Sequence, residues 1–321
     1  MTSLYDFLYD GMKNPPPVTP YDIKSMVSSK SNSGKSFNTT PIPLIGEDDD
    51  RPAVCDLINK HSSKIKQVCE ILKSEPLFDP EKHDELWVLR YILSQKDAKK
   101  AAKAAKATLE FRKKYKVDEL GDIRHHWLEK YQYDKKEKIG LYAGIEEDSF
   151  LMSIPDSNRG VIHYVRSAGF DFDKVLKVQD EDTSLMGYIL LAEWLFQMND
   201  EVTRRTGRLT KTLKVVNMKG FNFREVNHPF LKRDGKMNKI LQDIYPQSTG
   251  SALVINAPVV FESIMVFLRP FFPKRLVEKV NVVNPNKRPK DLNFFTKYVS
   301  KDNLPEIYGG KPGNELAQLC F

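Results

Sequence analysis

Apolar residues recur along this chain with two different periods, and the change falls near Gly121. Before it, Val54, Leu57, Ile58, Ile65, Val68, Ile71 and Leu72 keep helical spacing, which predicts one or two amphipathic helices from about Ala53. Asp84 is placed to cap a further helix through Leu86-Trp-Val-Leu-Arg-Tyr-Ile-Leu93. Lys96 to Lys116 predicts another. Ala98, Ala101, Ala105 and Leu109 give it a narrow small-residue face, and Lys99, Lys103, Lys106 and Lys113 a basic one. Beyond Gly121 come short β-branched runs: Ile139–Ala143, Val161–Val165, Leu213–Asn217, Ala252–Ala257 and Val280–Val283. Helical patterns near 183–203, 225–244, 258–269 and 289–300 separate the later ones. Strands alternating with helices predict an α/β fold with a mixed, largely parallel sheet and crossover helices, preceded by a small all-helical N-terminal subdomain.

The most informative stretch is Asp243–Phe272. Ala252-Leu-Val-Ile-Asn-Ala257 is an apolar run of strand length, the pattern of a strand covered on both faces. Pro258 then opens a helix, where its missing N–H costs nothing. In that helix Val260, Ile264, Phe267 and Phe271 fall on one stripe, and Phe261, Met265, Leu268 and Phe272 on the stripe beside it. Only Glu262, Ser263 and Arg269 add much polarity before Pro270. Two readings fit so apolar a helix: burial in a large core, or a movable wall over an apolar cavity, able to face lipid when open.

Composition narrows the setting. The 321 residues carry a net charge of +7, with 40% hydrophobic and 29% charged residues, ordinary for a globular protein with a bias toward anionic partners. Aromatic and basic residues do not interleave on a recognisable strand pair, which argues against RNA. Cys55, Cys69 and Cys320 are too few and too scattered for a disulfide framework, so a reducing compartment is expected. The acidic start MTSLYDFLYDG does not read as a secretory signal. The longest apolar run, Gly187 to Met198, is interrupted by Glu193 and is too short to span a bilayer. Residues 1–50, with their prolines, serines and the acidic run Glu47–Asp50, read as a disordered tail. A helical subdomain is expected over 51–120, an α/β domain over 121–312 and a short tail over 313–321.

Catalytic signatures are weak. Ser33-Gly34-Lys35-Ser36 ends like a phosphate-binding loop, but the glycine such a loop needs is Ser29 and no apolar strand precedes it. The chain carries no G-x-S-x-G, H-E-x-x-H or G-x-G-x-x-G string. His125-His126 reads as polar surface, and His163 and Tyr164 on a predicted strand point to opposite faces. No catalytic residue, metal or cofactor is expected.

Tyr245-Pro246, Val254-Ile-Asn-Ala-Pro258, Leu268-Arg-Pro-Phe271, Asn303-Leu-Pro-Glu306 and Tyr308-Gly-Gly-Lys311 occur in an order that resembles the CRAL-TRIO lipid-binding family. The type most similar is the phosphatidylinositol/phosphatidylcholine transfer protein. Leu89-Arg-Tyr-Ile-Leu93, Arg159-Gly-Val-Ile-His-Tyr164 and Val216-Asn-Met-Lys-Gly220 extend the resemblance over roughly residues 55 to 312. It implies an apolar lipid cavity behind a gate helix, here Val260, Phe261, Ile264, Met265, Phe267 and Leu268. It also implies a single phospholipid ligand, transient peripheral membrane contact, a cytoplasmic monomer and no enzymatic activity. Lys279 stands where phosphatidylinositol-binding members carry a headgroup lysine. Other family positions depart: the headgroup arginine falls on Gln95 and the glutamate after Tyr-Pro on Gln247. The two phosphocholine hydroxyl positions fall on Asn222 and Arg224. Both can still meet a phosphate oxygen, so phosphatidylinositol or a related phospholipid is the expected ligand. The alternative is a lipid-sensing recruitment module holding a sterol, isoprenoid or other hydrophobic ligand without net transfer.

Overall fold

The computed structural model describes residues 51–124, 150–156, 160–166, 172–178, 180–221, 228–257 and 280–283. Three helices come first: α1 (Val54–Leu72), α2 (Glu85–Gln95) and α3 (Ala98–Lys114), then a 3₁₀ turn at Val117–Leu120. Asp84 is the cap expected from the sequence, and Asp97 caps α3 without having been singled out there. The Asp84 carboxylate accepts the Trp87 N–H at 3.0 Å, and Asp97 accepts that of Lys100 at 2.9 Å. Lys96 adopts a left-handed φ of 62°, which ends α2 and starts α3 two residues later than the pattern from Lys96 predicts. Ala98, Ala101, Ala102 and Ala105 are buried and let α3 approach closely, so the helices close on one core with Ile65, Val68, Leu72, Leu86, Leu89 and Ile92. Ile71, assigned to the apolar stripe of α1, is instead exposed.

The sheet runs β1 (Phe150–Asp156), β2 (Gly160–Arg166), β3 (Thr212–Asn217), β4 (Thr249–Ile255) and β5 (Val280–Val283), in spatial order β1-β2-β3-β4-β5. The first pair is antiparallel and the other three are parallel, the mixed, largely parallel sheet expected. Between strands lie α4 (Phe172–Val178), α5 (Glu181–Thr206) and α6 (Pro229–Ile244). Proline opens α6 at its first turn. The sequence pattern missed β1, FLMSIPD, which carries Pro155 and few β-branched residues; its strand character comes from pairing along its whole length with β2. The strand expected at Ile139–Ala143, the helices at 258–269 and 289–300, and the two tails lie outside the described residues.

α5 is the spine. Its Asn199, 1% exposed, donates from Nδ2 to Thr212 Oγ1 on β3 at 2.8 Å and accepts the Val161 N–H of β2 at 3.2 Å. Gly160, at φ +93°, lies so close that a Cβ would sit 2.4 Å from Asn199 Oδ1, so only glycine fits there. Leu190, Trp194, Met198 and Val202 of α5 pack with Val161, Met237 and Leu241 into the second core.

Candidate functional site

Side-chain alternation divides β3 and β4 into two faces. Thr212 bonds α5, and Lys214 interacts electrostatically with Asp234 of α6, so Thr212, Lys214 and Val216 look toward the helices. Leu213, Val215, Leu253 and Ile255 look the other way. They are 6%, 1%, 0% and 0% exposed, and β3 and β4 pair Val215 with Leu253. This is a continuous apolar face, and the chain leaves β4 straight into the segment read as the gate helix.

That exit is pinned. Asn256, in the left-handed region at φ 53°, donates from Nδ2 to Asn217 Oδ1 at 3.0 Å, and the same oxygen accepts the Lys219 N–H at 3.0 Å. Asparagine tolerates this conformation better than a branched residue would. In open α/β sheets ligands bind beyond the carboxyl ends of the strands, and Asn217 and Asn256 stand there on β3 and after β4.

The site residues singled out from sequence, Lys279, Asn222 and Arg224 for the headgroup and Val260, Phe261, Ile264, Met265, Phe267 and Leu268 for the gate, all lie outside the described residues. Their chain neighbours do not. Phe221, which precedes Asn222, Ala257, which precedes the gate segment, and Val280, which follows Lys279, all pack on the cluster of Met218 and Val254. Positions far apart in sequence thus meet on one cluster, on the side of β3 and β4 that carries Val216 and Val254, with Val280 level with Ala252 in the middle of β4.

The helix-facing side of the sheet holds His163, singled out above on its strand, in a polar group whose other members the sequence did not signal. His163 is 3% exposed beside half-buried Lys214, and the two are register partners on β2 and β3. The Tyr188 hydroxyl of α5 donates to Asp234 Oδ1 of α6. Burial pushes the Lys214 ammonium down and the Asp234 carboxyl up from their usual ranges. Burial, aided by Lys214, lowers the His163 pKa to about 3. The unfolded value is about 6.5, so the folded protein binds fewer protons between these values. The contribution is complete above pH ~6.5 and is lost as pH falls toward 3. The melting temperature should therefore fall on acidification from about pH 6.5, before ordinary carboxylates titrate. His163→Phe should flatten the profile between pH ~6.5 and ~4.5; an equally steep profile in that variant would assign the transition to another group.

A second polar centre joins the helical unit to the sheet domain. Glu193 of α5, its side chain 4% exposed, receives Arg112 Nη1 and Nη2 of α3 at 2.7 and 3.2 Å, the Tyr245 hydroxyl at 2.9 Å and Gln197 Nε2 at 3.0 Å. Beside it an ionic chain runs from Asp84 through Arg204 and Asp200 to Arg90, with contacts of 2.7, 2.6 and 3.0 Å. Burial raises the Asp200 pKa, but Arg204 and Arg90 outweigh it and hold the carboxyl below its usual range. The only sequence signal for Glu193 was a lone acid inside an apolar helical run.

Among the described residues, no group of three or more His, Cys, Asp or Glu side chains is placed to hold a metal ion, and no helix is long and apolar enough to cross a membrane.

The profile of the CRAL/TRIO domain matches residues 146–310, slightly more than half the chain. The chain belongs to the CRAL/TRIO family. The match takes in the sheet, α4 to α6, and every residue assigned above to headgroup or gate. The chain is 24% identical over 243 residues to the Sec14 cytosolic factor of Schizosaccharomyces pombe, covering 74% of this chain and 79% of that protein. It is 23% identical over 260 residues to the SEC14 cytosolic factor of Kluyveromyces lactis, covering 80% of each. It is also 23% identical over 159 residues to an alpha-tocopherol transfer protein-like protein of Mus musculus, covering 49% of this chain and 37% of that one. A crystal structure of Sfh5 superposes with a TM-score of 0.49 at 15% identity, covering 82% of this chain and 89% of that one.

Proposed function

We propose that this CRAL/TRIO protein binds one lipid, phosphatidylinositol or a related phospholipid, against the apolar face of β3 and β4. It exchanges the lipid between membranes or presents it to a lipid-modifying enzyme, without catalysing a reaction itself. The observation that carries this is the apolar face of Leu213, Val215, Leu253 and Ile255, whose strand β4 runs directly into the Pro258–Phe272 segment. Membership of the CRAL/TRIO family and similarity to Sec14 cytosolic factors and to a tocopherol transfer protein-like chain support it.

The physical case is one of solvent replacement. Each buried methylene is worth ~0.8 kcal/mol, so taking a two-chain lipid of roughly thirty methylenes into water costs on the order of 20 kcal/mol. An apolar cavity replaces the bilayer interior with an equivalent medium, and the barrier falls to that of opening a lid at the surface. A lid with Phe261, Ile264, Met265, Phe267 and Leu268 on adjoining stripes is apolar on both sides of such a swing. Lys279 is the first candidate to meet the lipid phosphate as a point charge, and Asn222 and Arg224 are the further candidates. The exposed lysines of α3, Lys99, Lys100, Lys103, Lys113 and Lys114, would favour an anionic surface by about 1 kcal/mol each when close to it.

Native mass spectrometry of the full chain after incubation with mixed phospholipid vesicles, followed by extraction, tests the reading. One phospholipid per chain is the expected result, with phosphatidylinositol enriched and the enrichment reduced in Lys279→Ala. A stoichiometric sterol or isoprenoid would replace the phospholipid assignment, and a chain that takes up nothing would overturn the proposal.

A further inference from the structure

Between the helical unit and the sheet domain lies an open cavity of ≈200 Å³, lined from α2, α3, α5 and the end of α6. Gln95 and Gln247, where the family resemblance expects a headgroup arginine and a glutamate, do not line it. Its chemistry is lopsided toward donors. Arg90 lines it, 1% exposed; the guanidinium lies 5.2 Å over the Phe196 ring and uses Nη2 on Asp200 at 3.0 Å. Its Nε and Nη1 are buried with no hydrogen-bond partner, a condition that native proteins rarely tolerate without a bound water or ion.

His83 adds a fixed donor. Its Nδ1 accepts the Asp79 N–H at 2.9 Å, so in the neutral ring the proton sits on Nε2. Burial pushes the His83 pKa down, which keeps the ring neutral at physiological pH. Lys82 stands at the mouth with its side chain 76% exposed and only a 3.9 Å pair to Asp79. The acceptors nearby are already engaged: Asp118 by Arg112 at 2.7 Å, and Glu193 by Arg112, Tyr245 and Gln197. One wall is aromatic, with ring centroids 4.5 Å apart from His83 to Trp87 and 4.6 Å from Trp87 to Tyr91.

We propose that this cavity is a phosphate site: Arg90, His83 and Lys82 bind the phosphate of a small organic phosphate, whose carbon frame packs on Trp87 and Tyr91. Planar guanidinium donors suit phosphate oxygens, and the volume suits one phosphorylated ring or polyol rather than a whole lipid. The phosphate can arrive as a free metabolite or as a lipid headgroup at the mouth. The site stands independently of lipid exchange by the sheet cavity.

The test is calorimetric titration of the full chain with inorganic pyrophosphate. Saturable binding of one pyrophosphate per chain is expected. Lys82→Ala should weaken it about fivefold, as for an exposed charge pair. His83→Phe, which keeps the ring but loses the donor, should weaken it about tenfold, and Arg90→Lys by at least as much. Lys82→Ala is expected to keep the melting temperature of the parent, and His83→Phe to lower it only slightly through loss of the Asp79 N–H acceptor, so the test survives if Arg90→Lys does not fold. Vesicles of phosphatidylcholine with phosphatidylinositol phosphate, against phosphatidylcholine alone, then separate the sources. Loss of bound pyrophosphate only with the former assigns the site to a headgroup, and retention with both assigns it to a soluble phosphate. Absence of saturable binding, or binding indifferent to both Lys82→Ala and His83→Phe, overturns the proposal whatever the lipid content of the protein.

Discussion

Glu193→Ala is expected to destabilise the protein by about 3–5 kcal/mol, the cost of leaving one member of a buried ion pair without its partner. The carboxylate joins α5 to Arg112 of α3 and to Tyr245 at the end of α6, so its loss leaves a guanidinium, 15% exposed at its side chain, with Asp118 as its remaining ion pair. Burial opposes the charge on Arg112, yet Glu193 holds its pKa above the usual arginine range. Burial, reinforced by Glu193, raises the Tyr245 phenol well above its usual value, so it stays a donor at neutral pH. Urea unfolding should show a lower midpoint with little change in slope. Removing both charges, Arg112→Leu with Glu193→Leu, should cost less than the sum of the single changes, because neither charge is then stranded. A single-variant cost below about 1 kcal/mol would show that water reaches the pair and that the helical unit is not pinned there.

Val215→Trp tests the sheet face with the second-largest expected effect. Val215 is 1% exposed on the face turned from α5 and α6 and pairs with Leu253. If that face floors a lipid cavity, the indole occupies space that the acyl chains need. Lipid co-purification and vesicle-to-vesicle transfer should then fall at least tenfold, equivalent to ~1.4 kcal/mol. The melting temperature should move by only a few degrees, because a cavity accepts bulk that a packed core does not. A drop of 1–3 kcal/mol in stability with lipid loading unchanged is the result for an overpacked solid core, and it would remove the floor from the lipid site.

The headgroup and gate assignments rest on residues whose flanks, Phe221, Ala257 and Val280, meet on one cluster. Sequence could single out Asn222, Pro258 and Lys279 but could not bring their neighbours together, since those positions are separated by tens of residues and only β3–β4–β5 pairing closes the distance. The phosphate cavity was invisible for a related reason. Nothing in the local pattern singles out Lys82 or His83, and it is the end of α6 with Phe196 of α5 that joins them and Arg90 into a lined site.

By itself the sequence determined what depends on neighbours within a turn or a strand. Helical spacing drew α1 to α3; Asp84 marked where α2 begins; apolar β-branched runs drew β2 to β5; and short motifs in fixed order carried the family. These are local preferences, set by backbone geometry and periodic burial. Tertiary structure alone decided the rest: that FLMSIPD is a strand, that β1 runs antiparallel while the others run parallel, and which face of β3 meets helices and which is left apolar. It also turned Glu193 from an interruption of an apolar run into the anchor of three helices. A buried charge is tolerable only where distant partners satisfy it, and pairing across a sheet needs a second chain segment; neither is written in any one stretch of residues.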